Sequence, residues 1–84
     1  MGTKVIRITP HARFEMKRRR IRRAEVIAAI RNPDQVLPSI KGRYIYQVKA
    51  GLMLLRVVVR EDARAYHVVT AYKTTKIAKY WRMP

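Results

Sequence analysis

Over the first third of the chain, apolar positions recur one helical turn apart. Beyond about residue 35 they recur at alternate positions or in short branched runs. Residues 4–8 (Lys-Val-Ile-Arg-Ile) read as a short strand or extended lead-in. Thr9-Pro10 then signals a helix start, with a hydroxyl at the N-cap and proline at the first helical position. The spacing predicts a helix from about Pro10 to Arg19, with Ala12 and Met16 on its inner face. A second helix start follows at residues 21–26. Ile21 and Val26 have the spacing of a hydrophobic staple around a cap at Arg22, and Glu25 sits where a carboxylate favours the helix dipole. Val26, Ala29 and Ile30 form the inner stripe, and Asn32-Pro33-Asp34 ends the helix.

The rest predicts strands. Val36 to Ile40 is followed by the tight-turn pair Lys41-Gly42. Arg43 to Lys49 alternates, with Tyr44, Tyr46 and Val48 on one face, and Ala50-Gly51 turns the chain again. Leu52 to Arg60 has the branched apolar content of a central strand. Glu61-Asp62-Ala63-Arg64 is a polar turn, and Ala65 to Lys73 is the last strand. Thr74 to Trp81 forms a short helical turn in this reading. The order predicts one α+β domain over residues 1–84: two helices, then an antiparallel meander of three to five strands.

Charge changes the picture more than composition does. The chain has 84 residues, 20 Lys and Arg, and 5 Asp and Glu, for a net charge of +15. Both halves carry the excess, so it is not a local tail. The 49% hydrophobic content argues against disorder. A surface this basic attracts polyanions at long range. Nucleic acid is the first candidate partner and an acidic protein the second. No apolar run approaches the ~20 residues that span a bilayer. Cysteine is absent, which fits a reducing, cytoplasmic compartment. The densest charge is Lys17-Arg18-Arg19-Arg20-Ile21-Arg22-Arg23, built into the helical region rather than into a tail.

Several of these residues also form a pattern. Thr9-Pro10-His11-Ala12, Met16, Arg19, Ile21, Glu25-Val26 and Asn32-Pro33 are followed by Gly42-Arg43-Tyr44 and Val69-Thr70-Ala71-Tyr72. In order and spacing this resembles small domains, mostly of undescribed function, that are grouped with the RelE/ParE-like and BrnT-like toxins. The resemblance implies helices packed on a twisted antiparallel sheet. For RelE-type members it implies metal-independent cleavage of messenger RNA, often on the ribosome, and neutralisation by an acidic antitoxin. ParE-type members act on gyrase instead, so the fold alone does not fix the activity. The chain departs from the pattern twice. Arg20 stands for a glycine expected at positive φ, and Arg22 stands for a serine cap; each change costs about 1 kcal/mol.

Metal-free RNA cleavage needs a base for the 2′-hydroxyl, cations for the phosphorane charge and an acid for the leaving oxygen. The chain is rich in imidazole, guanidinium, ammonium and phenol and poor in carboxylates, which argues against a carboxylate-held metal and implies no cofactor. His11, in the first turn of the first helix, is a candidate base or phosphate ligand, or a packed or capping histidine. Arg19 matches the family's arginine and binds phosphate or braces Glu25 or Asp34. If the Asp62-Ala63 turn pairs Arg60 with Ala65, His67 shares a face with Arg56, Arg60, Val69 and Lys73. Met53, Leu55, Val57 and Val59 then form the core on the other face. Arg56 and Arg60 are candidate electrostatic stabilisers. Lys73, Lys76, Lys79, Tyr80, Trp81 and Arg82 interleave cations with aromatics, the composition that grips single-stranded RNA. Within that segment Tyr80 and Lys76 are candidate acids. Lys17, Arg18, Arg20, Arg22, Arg23, His67, Lys73, Lys79 and Trp81 are candidate RNA contacts. The plainer reading makes Tyr80 and Trp81 core plugs and the charges a solvated face.

Overall fold

Thr9 starts the first helix by local chemistry. Its Oγ1 accepts a hydrogen bond from the Ala12 backbone N–H at 3.1 Å, and Pro10 occupies the first helical position. In the computed structural model of the chain, which describes residues 4–83, this helix, α1, runs Pro10–Arg18. It closes with the Ile21 N–H donating to the Met16 carbonyl at 2.8 Å and the Arg20 N–H to the Lys17 carbonyl at 3.2 Å. That closure requires a left-handed residue just past the helix, and Arg20 supplies it with φ 57°. Helix α2 spans Arg23–Arg31. Its N-cap residue, Arg22, has no side-chain acceptor. Glu25 compensates by accepting from the Arg22 backbone N–H at 2.8 Å and from Lys73 Nζ at 2.9 Å.

Five strands form one sheet: β1 (Val5–Ile8), β2 (Gln35–Pro38), β3 (Arg43–Ala50), β4 (Met53–Glu61) and β5 (Ala65–Thr74), in the order β1-β5-β4-β3-β2. A short helix, α3, follows at Ile77–Tyr80. The domain is α+β, but the sheet is mixed rather than antiparallel, because β1 lies parallel to β5. The residue 4–8 segment is therefore a ladder strand. Its Ile6 and Ile8 pack against the core, which anchors it beside β5. The strand expected over Val36–Ile40 ends at Pro38, and a 3₁₀ turn at Ile40–Gly42 leads into β3 with Lys41 at φ 56° and Gly42 at φ 71°.

Register corrects the expected grouping of side chains. Arg60 lies opposite His67, not Ala65. Further along, Val58 faces Thr70 while Val59 faces Val68, so Val69 is an extra residue on β5. Side chains alternate along a strand, and a bulge resets the alternation. His67 therefore keeps the face of Arg56 and Arg60, whereas Lys73 turns to the opposite face and meets Glu25.

That opposite face carries the core. Ala12, Met16, Ile21, Val26, Ala29 and Ile30 of the helical layer pack on Tyr46, Leu55, Val57, Val59, Val68 and Ala71. Tyr46 adds a polar tie within it by donating its hydroxyl to Glu61. No helix among the described residues is long and apolar enough to cross a membrane.

Candidate functional site

The sheet face turned away from α1 and α2 is covered at one end only. There the C-terminal segment folds back: the Gln35 side chain donates to the Arg82 carbonyl and accepts from the Arg82 N–H at 3.0 Å, and Gln47 Nε2 donates to the Tyr80 carbonyl at 3.2 Å. Beneath it the ladder sets four polar side chains in a row across the strands. Gln35 pairs with Gln47, Gln47 with Arg56, and Arg56 with Tyr72. Gln47 is fully buried and Arg56 is 6% exposed.

Arg56 is the centre of this row. Its Nε donates to Gln47 Oε1 at 3.0 Å, its Nη1 donates to the Tyr72 hydroxyl, and the Tyr80 ring stacks 4.0 Å from the guanidinium carbon. All these partners are neutral, and Arg56 forms no ion pair among the described residues. A buried charge is costly unless it is compensated. Nη2 has no hydrogen-bond partner among the described residues, where no fully buried side-chain nitrogen or oxygen lacks one, so Nη2 is not wholly buried. Among the described residues the arrangement is a fixed cation with neutral partners and one unengaged donor nitrogen, the geometry that receives an anion. Two further cation–ring contacts extend the rim: Lys49 lies 4.0 Å from the Trp81 ring and Lys79 lies 5.2 Å from the Tyr80 ring.

Four residues along β4, Arg60 begins a second row on the same face. It lies opposite both Arg43 and His67, and His67 lies opposite Arg7. Asp62 Oδ2 sits 2.9 Å from His67 Nε2, while Asp62 Oδ1 accepts from the Arg64 and Ala65 N–H groups at 2.8 Å each. The His67 hydrogen bond, reinforced by those two N–H groups, holds the Asp62 carboxyl well below the usual carboxylate range.

The remaining candidates are dispersed. His11 is exposed on α1, in the helical layer behind the sheet, so it does not join Arg56. Arg19 braces structure rather than Glu25 or Asp34. It donates to the Ala71 carbonyl at 2.9 Å, where β1 has ended and the β5 edge is open, and pairs with Glu15 at 3.0 Å. Arg18 also pairs with Glu15. Lys17 and Arg23, with Arg13, rim a groove of about 440 Å³ floored by Ile8, Met16 and Ile21, again on the helical layer. Arg20 and Arg22 are exposed at the α1–α2 junction. Lys76 occupies the N-cap of α3 and is exposed. Sequence reasoning missed Gln35, Gln47, Arg7 and Arg43 as members of the face. Their only signal is the ladder register, which joins residues remote in sequence.

No group of three or more His, Cys, Asp or Glu side chains that could hold a metal ion lies among the described residues. No curated protein and no solved structure matches the chain. Residues 8–73 match the family model described as Domain of unknown function (DUF4258).

Proposed function

The chain thus belongs to the DUF4258 family, whose description assigns no activity, and from its resemblance to the RelE/ParE-like toxins together with its basic sheet face we propose that it is a toxin-type endoribonuclease with a RelE/ParE-like fold. It cleaves messenger RNA without a metal ion, acts in the cytoplasm and is restrained by an acidic antitoxin. The observation that carries the reading is Arg56: a buried guanidinium held, among the described residues, only by neutral groups and stacked on the C-terminal Tyr80 ring, with Nη2 unengaged. A phosphate completes its charge balance. Preorganised cations contribute most where charge develops in the transition state, so Arg56 stabilises the phosphorane and Tyr80 holds the guanidinium plane. Lys79, against the Tyr80 ring, and the Tyr80 hydroxyl are the acids on that rim that protonate the departing 5′-oxygen, while the 2′-hydroxyl proton passes to solvent water. His11 and Arg19 lie in the helical layer and have no part in this step.

A second reading, RNA binding without cleavage, is favoured by one observation: among the described residues no histidine or carboxylate contacts Arg56 to serve as base. A single assay separates the two. Purified protein is incubated with unstructured RNA in a chelator, and products are resolved by length and end group. Cleavage with 2′,3′-cyclic phosphate ends is expected. Arg56→Lys keeps the charge but loses the fork, and lowers the rate by about 10²–10³-fold, the cost of removing one transition-state donor. Intact RNA, or cleavage indifferent to Arg56→Lys, overturns the endoribonuclease reading.

A further inference from the structure

The second row, Arg7–His67–Arg60–Arg43, sets three guanidinium groups and an imidazole across four neighbouring strands. Like charges directly opposite on neighbouring strands are destabilising, and here Arg60 faces Arg43 on one side and the imidazole of His67 on the other. Arg7, Arg43 and Arg60 make no side-chain hydrogen bond or ion pair among the described residues. The acid nearest the row, Asp62, is already engaged by His67 and two backbone N–H groups. Glu61 faces the core layer, where it binds Lys4 and Tyr46. The row therefore holds three guanidinium groups with no anionic partner among the described residues, with His67 between Arg7 and Arg60 paired to Asp62.

Its length sets what can compensate it. With neighbouring strands about 4.8 Å apart, four strands span about 14 Å, too far for one phosphate and suited to a chain of them. Between this row and Arg56 lie the half-buried Ile45 and Val58, an uncharged step. Beyond the step stands Arg56, about 13 Å from the cationic row at the strand rise, with the Tyr80 ring stacked on it and the Trp81 ring against Lys49. Backbone charge is thus met at one end of the face and ring surface at the other. A duplex hides its bases from such rings, whereas a single strand presents them for stacking.

We propose that Arg7, His67, Arg60 and Arg43 form a cross-strand track for the phosphate backbone of a single-stranded RNA, directing its bases towards Tyr80 and Trp81. The track rests on the reading of RNA as substrate, but it is a separate site from Arg56. It also displaces the run at 17–23 as the nucleic-acid handle.

The test is the salt dependence of binding to a 2′-O-methyl decauridine, which resists cleavage by 2′-hydroxyl attack. On single strands the log–log slope falls by about 0.7 for each phosphate neutralised. The double variant Arg7→Gln/Arg43→Gln is expected to make the slope shallower by about 1.4. The control Lys17→Gln/Arg23→Gln on the helical layer is expected to leave it unchanged. Loss of repulsion keeps the melting temperature of the first variant at or above that of wild type, which excludes misfolding as the cause. An unchanged slope in the Arg7/Arg43 variant, or a shallower slope in the control instead, overturns the track. A parallel digestion of unmodified RNA keeps the two proposals apart. Expected slopes with no cleavage sustain the track and sink the endoribonuclease; cleavage with an unchanged slope does the reverse.

Discussion

Replacing Arg20 by glycine is expected to stabilise the protein while removing one of its charges. Arg20 sits at φ 57°, clamped there by the Ile21-to-Met16 and Arg20-to-Lys17 hydrogen bonds. A left-handed conformation costs a residue bearing Cβ about 1–2 kcal/mol, and glycine escapes that cost. Glycine also has more freedom to lose from the unfolded chain, which returns about 0.4–1 kcal/mol. The net gain is about 0.5–1 kcal/mol. For a domain of this size each kcal/mol shifts Tm by about 4–8 °C, so a rise of about 2–8 °C is expected. Charge confounds the comparison, because losing any cation from a +15 chain relieves repulsion. Arg20→Ala is therefore the reference: it loses the same charge and keeps Cβ. Thermal unfolding followed by circular dichroism, at low and high salt, reads both effects. The Gly-over-Ala difference is conformational and persists at high salt, whereas the Ala-over-Arg difference shrinks as salt screens the surface. If glycine is no more stable than alanine, residue 20 is not held left-handed and the proposed closure of α1 is wrong.

Two further predictions concern titration. The Asp62 carboxyl is lowered in the folded state, so its contribution is present above the ordinary aspartate pKa of about 3.9 and is lost as pH falls through the lower folded value. Glu15, lowered chiefly by Arg18, and Glu25, lowered chiefly by the Arg22 N–H and Lys73, have the same sign. Thermal stability is expected to fall below about pH 4, and Asp62→Asn is expected to flatten part of that fall; a variant with the wild-type acid limb contradicts the His67–Asp62 geometry. Tyr46 is shifted the other way, because burial and the Glu61 hydrogen bond keep its phenol neutral. That interaction is complete below the ordinary tyrosine pKa of about 10 and is lost as pH rises through the higher folded value. Tyr46→Phe is expected to cost about 0.5–1.5 kcal/mol near neutral pH, measured by urea denaturation. A phenylalanine variant as stable as wild type removes the Tyr46–Glu61 tie from the core.

Helix positions were legible because their signals are local. Thr9-Pro10, the Ala12–Met16 turn and the Val26–Ala29–Ile30 stripe each concern residues within one or two turns, and all of these apolar positions are buried. Positive φ at residue 20 was legible only through the resemblance, whose pattern has a glycine where this chain has Arg20. Sheet register was not. Val68, Val69 and Thr70 are all acceptable strand residues, so nothing along the chain marks which one bulges out, yet that single extra residue moves Lys73 from the open face to Glu25. Gln47 illustrates a second limit. Alternation puts it among Arg43, Ile45 and Lys49 on a face that reads as solvated. It is nevertheless fully buried, because residues 80–82 return across the sheet and supply its partners. The burial of Arg56 follows from the same return and could not be read from β4 alone.

The two ways of counting charge, along the chain and across the fold, point to different functional surfaces. The run at 17–23 is dense in sequence, but at 3.6 residues per turn neighbouring side chains on a helix diverge. Arg18 and Arg19 are drawn to Glu15, and Arg20 and Arg22 fall at positions fixed by the α1–α2 junction. Arg7, His67, Arg60 and Arg43 are scattered over 61 positions of sequence, and the ladder aligns them at the strand spacing on one face. A polyanion gains most where charges converge and have no partner of their own. On that criterion the track proposed on the open face of the sheet, rather than the basic run, is the surface at which to test polyanion binding.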